Sequence, residues 1–423
     1  MIEIVNKERC SGCSACANIC SQKCITMEAD AEGFLYPHID DKKCISCDKC
    51  EKVCPIKAER YVDIDSLPKG YLSYEMDDLS RINSAAGGAF YAIAKAFIIN
   101  YKGIVVGAAY SKEFKVEHIL VNKVEDLQYL QKSKYVQSNV KDSFYQINEL
   151  LKQDKYVLFS GTTCQVTGLK RMISVRLHEK LYCIDLSCYG VPSPTVFDKY
   201  LEFQKKAHGD IERVIMRDKK LYKNSFRVGY GMSFRDGTHY FAPHGEDPMA
   251  RIFYSHIALR PICYECPFKT VSRISDITLG DCWYADEFIP NFKDKYGVTM
   301  ILQHSDKGYQ LIQQADSLKK LECDTEKLIK VNGGMIFRSS PKHPMREDFF
   351  VAFNDGMPFV ELADKFAPVH RDGIKYKINL ILKELGLLPF LLQAKKREKE
   401  IKRRCSQTIN DSALRRYIYH DDE

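Results

Sequence analysis

The sequence predicts an α+β chain: a small cysteine-bound head, an α/β body interrupted by antiparallel hairpins, and a helical C-terminal tail. Three observations carry this. Eight of the 17 cysteines fall in two regular runs between Cys10 and Cys54. From Gly103 to Leu186 short apolar runs alternate with helical ones, the mark of strands joined by helices. The stretch 211–241 instead alternates apolar and polar residues around a turn signal at Asp236-Gly237, as antiparallel hairpins do.

Cys10, Cys13, Cys16 and Cys20 form one run and Cys44, Cys47, Cys50 and Cys54 the other, each spaced C-x2-C-x2-C-x3-C, with Pro55 after the second. Three thiolates separated by two residues wrap one cubane within a tight loop. The fourth, about a helical turn further on, points away and serves the other cluster. Cys10, Cys13, Cys16 and Cys54 are therefore assigned to one [4Fe-4S] cluster, and Cys44, Cys47, Cys50 and Cys20 to the second. Residues 25–43 read as a hairpin-like connection turning at Glu32-Gly33. The layout resembles a two-cluster ferredoxin of the bacterial type. Disulfides fit less well, because evenly spaced cysteines opening a chain with no secretory segment point to a reducing compartment. Zinc takes C-x2-C pairs but has no need of the third and fourth cysteines of each run. The first run departs from the pattern by ending Cys20-Ser21, without proline. Cys24 reads as a small buried residue and not as a ligand.

At 423 residues the chain has room for two or three domains. Hydrophobic content of 45% with 28% charged is ordinary for a globular protein, and no stretch approaches the roughly 20 apolar residues of a membrane span. Many cysteines without a secretory segment point to metal chemistry in the cytoplasm. The formal charge of +7 is concentrated: KKREKEIKRR at 395–404 holds seven basic and two acidic side chains, which leaves +2 for the rest. A general nucleic-acid footprint is not supported. The tail from Ile374 is apolar on more than one face and broken by Pro389. It reads as a cap on its own domain, or as a peripheral contact with a membrane surface.

In chain order, residues 56–75 read as a linker punctuated at Pro68-Lys69-Gly70. Small residues from Ser84 to Gly88 then feed a helical run to Asn100. Such a helix start can seat a phosphate, and close helix packing explains the glycines equally well. Strands are expected at 103–110, 156–159 and 181–186, with helices near 141–153 and after Cys164. Ligands of α/β sheets sit beyond strand C-terminal ends, where Cys164 and Cys188 both stand. Cys263 and Cys266 form a further C-x2-C pair, and a strand near 297–303 leads into another helix. From spacing alone these four cysteines suit a cluster, a zinc site or a core.

Six segments recur in this order in one family: R-x2-S-x2-GG (Arg81–Gly88), KSKYVQS (132–138), SGTTCQVTGLKR (160–171), CYGVPSP (188–194), CYECPF (263–268) and SDITLGDCW (275–283). The chain resembles the coenzyme F420 hydrogenase/dehydrogenase beta-subunit family over roughly 75–345, including Asn332 and the stretch from Lys342 to Arg346. The resemblance implies an FAD-binding domain with a third [4Fe-4S] cluster near the flavin. Carried over by position, the ligands are Cys164, Cys188, Cys263 and Cys266, with Cys282 in reserve. Flavin contacts fall on Ser84, Gly87, Gly88, Lys134, Ser138 and Thr162, and a lysine there would stabilise a reduced flavin anion. Thr163 stands where relatives often have proline. Catalytic residues are not assigned; His343 and Asp281 are candidate proton donors.

The implied domains are a ferredoxin head (1–62), a linker (63–75), beta-subunit regions (76–158 and 159–345) and a helical tail (346–423). The implied function is an iron–sulfur flavoprotein oxidoreductase passing electrons between the clusters, FAD and a two-electron acceptor. That acceptor is a deazaflavin-like coenzyme or a reducible metabolite, for relatives with such a head also stand beside cell-surface polysaccharide genes. The alternative is a non-catalytic electron-transfer subunit docking onto a partner enzyme.

Overall fold

The computed structural model describes residues 7–57, 67–222, 225–289, 294 and 296–369. The head turns on one hairpin, β1 (Ile25–Ala29) against β2 (Leu35–Ile39), with Ile25 opposite Ile39. Its turn needs the left-handed φ of +82° that Gly33 adopts, and a Cβ there would strike Thr195.

The body is built on one sheet. β3 (Lys69–Glu75), β4 (Ile104–Tyr110), β5 (Val116–Val121), β6 (Val157–Gly161) and β7 (Leu181–Leu186) enter it first. The chain then leaves to make an antiparallel sheet of β8 (Ile211–Tyr222), β9 (Ser225–Phe234) and β10 (His239–Pro243), the expected hairpins. It returns as β11 (Ile277–Asp281), β12 (Thr299–Gln303) and β13 (Leu318–Cys323), giving the order β13-β3-β12-β11-β7-β6-β4-β5. β11, β7, β6 and β4 run parallel, and both flanks are antiparallel.

The central strands read as unbroken apolar runs because both faces are covered. On one face Leu158, Ile184, Ile277 and Ile301 pack with Ile93 and Phe97 of the helix Ala89–Tyr101. On the other, Val157, Phe159 and Cys183 pack with Phe144 and Leu169 of the helices Ser143–Lys152 and Thr163–Met172. Because β4, β6, β7 and β11 share one direction, their C-terminal ends stand at one rim of the sheet.

Two boundaries differ from the sequence reading. Residues 69–75, expected within a linker, form β3 and pair with β12 on one side and β13 on the other. Gly70 read as punctuation, but it packs closely on Thr325 and Leu328, and a Cβ there would lie 2.9 Å from a Leu328 methyl. Both partner strands lie far along the chain, so no local signal marks β3. The helices Arg346–Asn354 and Phe359–Phe366, expected in the tail, bury Phe349, Phe359 and Phe366 against Tyr200 and Phe234. The chain divides into two units, Met1–Ala367 and Pro368–Glu423. The apolar segment from Ile374 and the basic run at 395–404 lie outside the described residues.

Head and body share the first unit, and two arginines join them. Arg260 is fully buried and donates to the carbonyls of Cys10 at 2.7 Å and Leu35 at 2.9 Å, and to Gln137 Oε1 at 2.9 Å. Gly12 (φ +64°) makes room for it: a Cβ would lie 2.6 Å from the guanidinium. Arg346 grips Glu32 at the hairpin tip through two bonds of 2.7 and 2.5 Å, the paired geometry a guanidinium offers a carboxylate. Among the described residues no helix is long and apolar enough to cross a membrane.

Candidate functional site

The two cysteine loops of the head have the same backbone shape. Gly12 and Ser14 in the first, and Ser46 and Asp48 in the second, take left-handed φ values at equivalent positions. Such turns point backbone N–H groups inward, as an anionic centre requires. Burial pushes the Cys13 thiol up to about 12 and Cys16 well above the ordinary range, and both also feel Cys10 and Cys54. Cys10, Cys13, Cys16 and Cys54 are thus neighbours, the last drawn from the other run. Cys20, Cys44, Cys47 and Cys50 line a second small hollow, again with one member exchanged. Cys47 is exposed there, so this distal set faces solvent. Cys24 is buried as expected, yet it lines the same hollow with its Sγ 3.3 Å from that of Cys20.

The body gathers four cysteines from three segments. Cys164 lies in the first turn of the helix that follows β6, where Thr162 and Gln165 form a reciprocal cap. Cys188 follows β7, Cys263 lies within the turn Pro261–Glu265, and Cys266 ends it. Burial raises the thiols of Cys164, Cys263 and Cys266, with Cys263 reaching about 12. Cys164 also feels Cys266, Cys188 and Cys13 of the head, and Cys263 feels Cys188 and Cys266. One helical turn beyond Cys164, a Cβ on Gly168 would lie 2.9 Å from Cys13 Sγ. The body set therefore adjoins the first head set.

Cys282 is elsewhere. Its Sγ accepts from Asn332 Nδ2 at 3.4 Å, and Asn332 Oδ1 accepts from the backbone N–H of Trp283 at 2.8 Å. The reserve ligand thus belongs to the support of the Trp283 loop. Among the described residues no three His, Cys, Asp or Glu side chains converge as a single metal ion requires.

Beyond the C-terminal ends of β4, β6, β7 and β11 lies a cavity of about 420 Å³, within the roughly 300–1,000 Å³ of ligand pockets. Ser84, Gly88, Lys134, Ser138 and Thr162 line it, and so do Cys164 and Cys188. Gly87 does not. A Cβ there would lie 2.6 Å from Ser73 O and 2.7 Å from Thr299 N, so this glycine serves packing against β3 and β12. Gly88, with φ of +91°, caps the helix Ala89–Tyr101. Two helix starts thus reach the wall, a setting that favours an anion. The Lys134 ammonium donates to Gln131 O at 2.8 Å, and burial pushes it down to about 7.

Three wall residues escaped the sequence reading. Arg217 of β8 pairs with Asp281 at 2.9 Å and donates to Ala85 O at 2.7 Å. Trp283, 61% exposed, lies 5.3 Å from the same guanidinium at the mouth. His118 stacks on Phe159, and burial pushes it down to about 4. Arg217 and His118 come from strands whose neighbours no local motif declares, and Trp283 closes the SDITLGDCW segment just after β11. Of the proton-donor candidates, Asp281 is on the wall, whereas His343 is not and sits near His256.

An anionic dinucleotide fits this wall in three respects: the helix starts, the lysine, and two buried polar atoms of wall residues, His118 Nδ1 and Ser187 Oγ, that have no protein partner.

The family described as the C terminus of the coenzyme F420 hydrogenase/dehydrogenase beta subunit matches residues 154–328, and the 4Fe-4S dicluster domain matches residues 9–58. A chain of the F420-reducing [NiFe] hydrogenase complex from Methanosarcina barkeri is similar at 14% identity and a TM-score of 0.44, over 69% of this chain and 94% of that one. NADH-quinone oxidoreductase subunit I 2 of Geobacter metallireducens is 40% identical over 58 residues, 12% of this chain. The matched stretch spans 44% of that relative's length.

Proposed function

This chain belongs to the coenzyme F420 hydrogenase/dehydrogenase beta-subunit family and opens with a 4Fe-4S dicluster domain, and on that premise we propose that it is an iron–sulfur flavoprotein oxidoreductase. Three sets of four cysteines would hold [4Fe-4S] clusters: the exposed distal set, the first head set, and Cys164, Cys188, Cys263 and Cys266. The observation that carries the reading is that Cys164 is next to Cys13 on one side and on the cavity wall on the other. A one-electron relay from head to cavity needs that order.

The cavity would hold FAD, with the helix starts at Gly88 and Thr162 offering backbone N–H groups to its phosphates. Bound there, a flavin collects electrons singly and delivers them in pairs. Lys134 holds a positive charge against the ligand, while Ser84 and Ser138 offer hydroxyls. Burial pushes the Asp281 carboxyl above the ordinary range, the paired Arg217 guanidinium counters that and holds it in place, and the exposed Trp283 marks where an acceptor approaches. The acceptor is a deazaflavin-like coenzyme or a reducible metabolite, one route leading to cell-surface polysaccharide. The cytoplasm is the compartment such reduced centres require.

The test is turnover by the isolated chain. Purified without oxygen and supplied with dithionite, it should reduce a small two-electron acceptor catalytically. Reduction of the centres without turnover would leave a subunit that docks onto a partner enzyme.

A further inference from the structure

Two cations stand against the body's cysteine set with no carboxylate among the described residues at ion-pair distance. Arg260 donates to Cys10 O, and its own carbonyl accepts from Cys263 N at 2.9 Å. Its guanidinium lies 4.3 Å from the centre of the Tyr36 ring, and its charge reaches the Cys263 thiol. It therefore stands between the first head set and the body set. Lys269 donates through its ammonium to the carbonyls of Cys188 and Met335, and through its backbone N–H to Cys266 O at 3.3 Å. Its charge reaches Cys188, Cys266 and Cys263.

Among the described residues neither Arg260 nor Lys269 has a carboxylate at ion-pair distance. Arg273, a third cation nearby, does: it pairs with Asp185 at 3.0 Å, both fully buried. A buried guanidinium without a counter-ion is strongly disfavoured. The Arg260 charge reaches the Cys263 thiol, and its guanidinium bonds the carbonyl of Cys10. Around the distal set the arrangement differs. The lysines there, Lys43 and Lys49, are exposed, where water and salt screen them.

We propose that Arg260 and Lys269 are the built-in counter-charges of the body set, Arg260 shared with the first head set, and that they set the direction of electron flow from head to cavity. This rests on reading Cys164, Cys188, Cys263 and Cys266 as a cluster site. Reduction adds one negative charge to a cluster, so a fixed cation in a poorly screened place favours the reduced form and raises the potential. Burial alone acts the other way, and these cations offset it. Each transfer moves one electron: the donor cluster is oxidised, its neighbour is reduced, and no bond forms or breaks. The first reductant is a one-electron donor at the exposed distal set.

The experiment compares Lys269→Gln, Lys269→Arg and Arg260→Met in the full chain, purified anaerobically, by iron content and by redox titration with electron paramagnetic resonance. Lys269→Gln should make the body cluster at least tenfold harder to reduce, a downward shift of about 59 mV or more for a one-electron couple, and leave the distal cluster unmoved. Lys269→Arg should titrate as the parent does. Arg260→Met should lower the body cluster and the first head cluster together. If Lys269→Gln fails to load the body cluster while Lys269→Arg loads it, the charge is required and the proposal stands. Like behaviour of the Gln and Arg variants, whether unshifted potentials or loss of the cluster in both, would overturn it. About eight irons in the parent protein would instead remove the third cluster itself, before any question of charge.

Discussion

In the head, eight cysteines come from two local runs, and the spacing within each run already describes the loop that wraps a cluster. In the body, four cysteines come from three segments between Cys164 and Cys266, and they meet only because β6 and β7 are neighbours and the Pro261–Glu265 turn is drawn beside them. The head's geometry is therefore a property of short loops, and the body's is a property of sheet order. This difference says where each region should fail. Losing one head cysteine disturbs a loop, whereas the body site depends on distant elements staying in register.

The largest effect follows from breaking the body site alone. Cys263→Ser should lose about four irons and leave the head's clusters in place, read by iron analysis and electron paramagnetic resonance. Unchanged iron content would show that the four body cysteines are a core cluster of thiols and not ligands.

Next comes the joint between the regions. Arg346→Ala leaves Glu32 unpaired at the hairpin tip and should cost about 2 kcal/mol, between the values of exposed and buried pairs. Thermal unfolding should show the loss, and Glu32→Gln, whose one amide oxygen keeps one of the two hydrogen bonds from Arg346, should lose less. Equal losses would mean that shape and not the ion pair secures the tip.

The cavity gives a pH signature. Burial pushes Lys134 from 10.5 down to about 7. Between those values the unfolded chain binds the extra proton, so this group makes the flavin-free protein more stable as pH rises from about 7 to 10.5. A bound anion holds the ammonium charged, so binding takes up a proton above about 7. Flavin affinity should be flat below that pH and fall by up to about tenfold per unit above it. Lys134→Met should abolish the slope in a fluorescence titration. A slope that survives the substitution would move the proton to another group.

The smallest expected effect is none. Cys282→Ser should keep the full iron content, because Cys282 bonds to Asn332 and stands apart from the body set. Loss of iron would restore it as a ligand.

The legibility of the chain follows the same division. The exchange of Cys20 and Cys54 between the head's sets was readable because a helical turn separates each fourth cysteine from its run. The parallel strands were readable because both of their faces are buried, which leaves apolar runs in the sequence. β3 was not, since its identity comes from pairing with strands far along the chain. Gly87 and Gly88 show how fine the limit is: adjacent residues, one packed on a strand and one at a helix start facing the cavity. Arg217 and Arg260 carry no motif at all. Their roles arise where elements meet, and only the assembled fold shows that one lies under Trp283 and the other between two cysteine sets.

The most direct test of the central claim, that three cluster sites lead to a flavin cavity, is the iron, sulfide and flavin content of the full chain purified without oxygen. The account predicts about twelve irons, as many sulfides and one FAD per chain. About eight irons and no flavin would contradict it, leaving a two-cluster head on a body that binds something else.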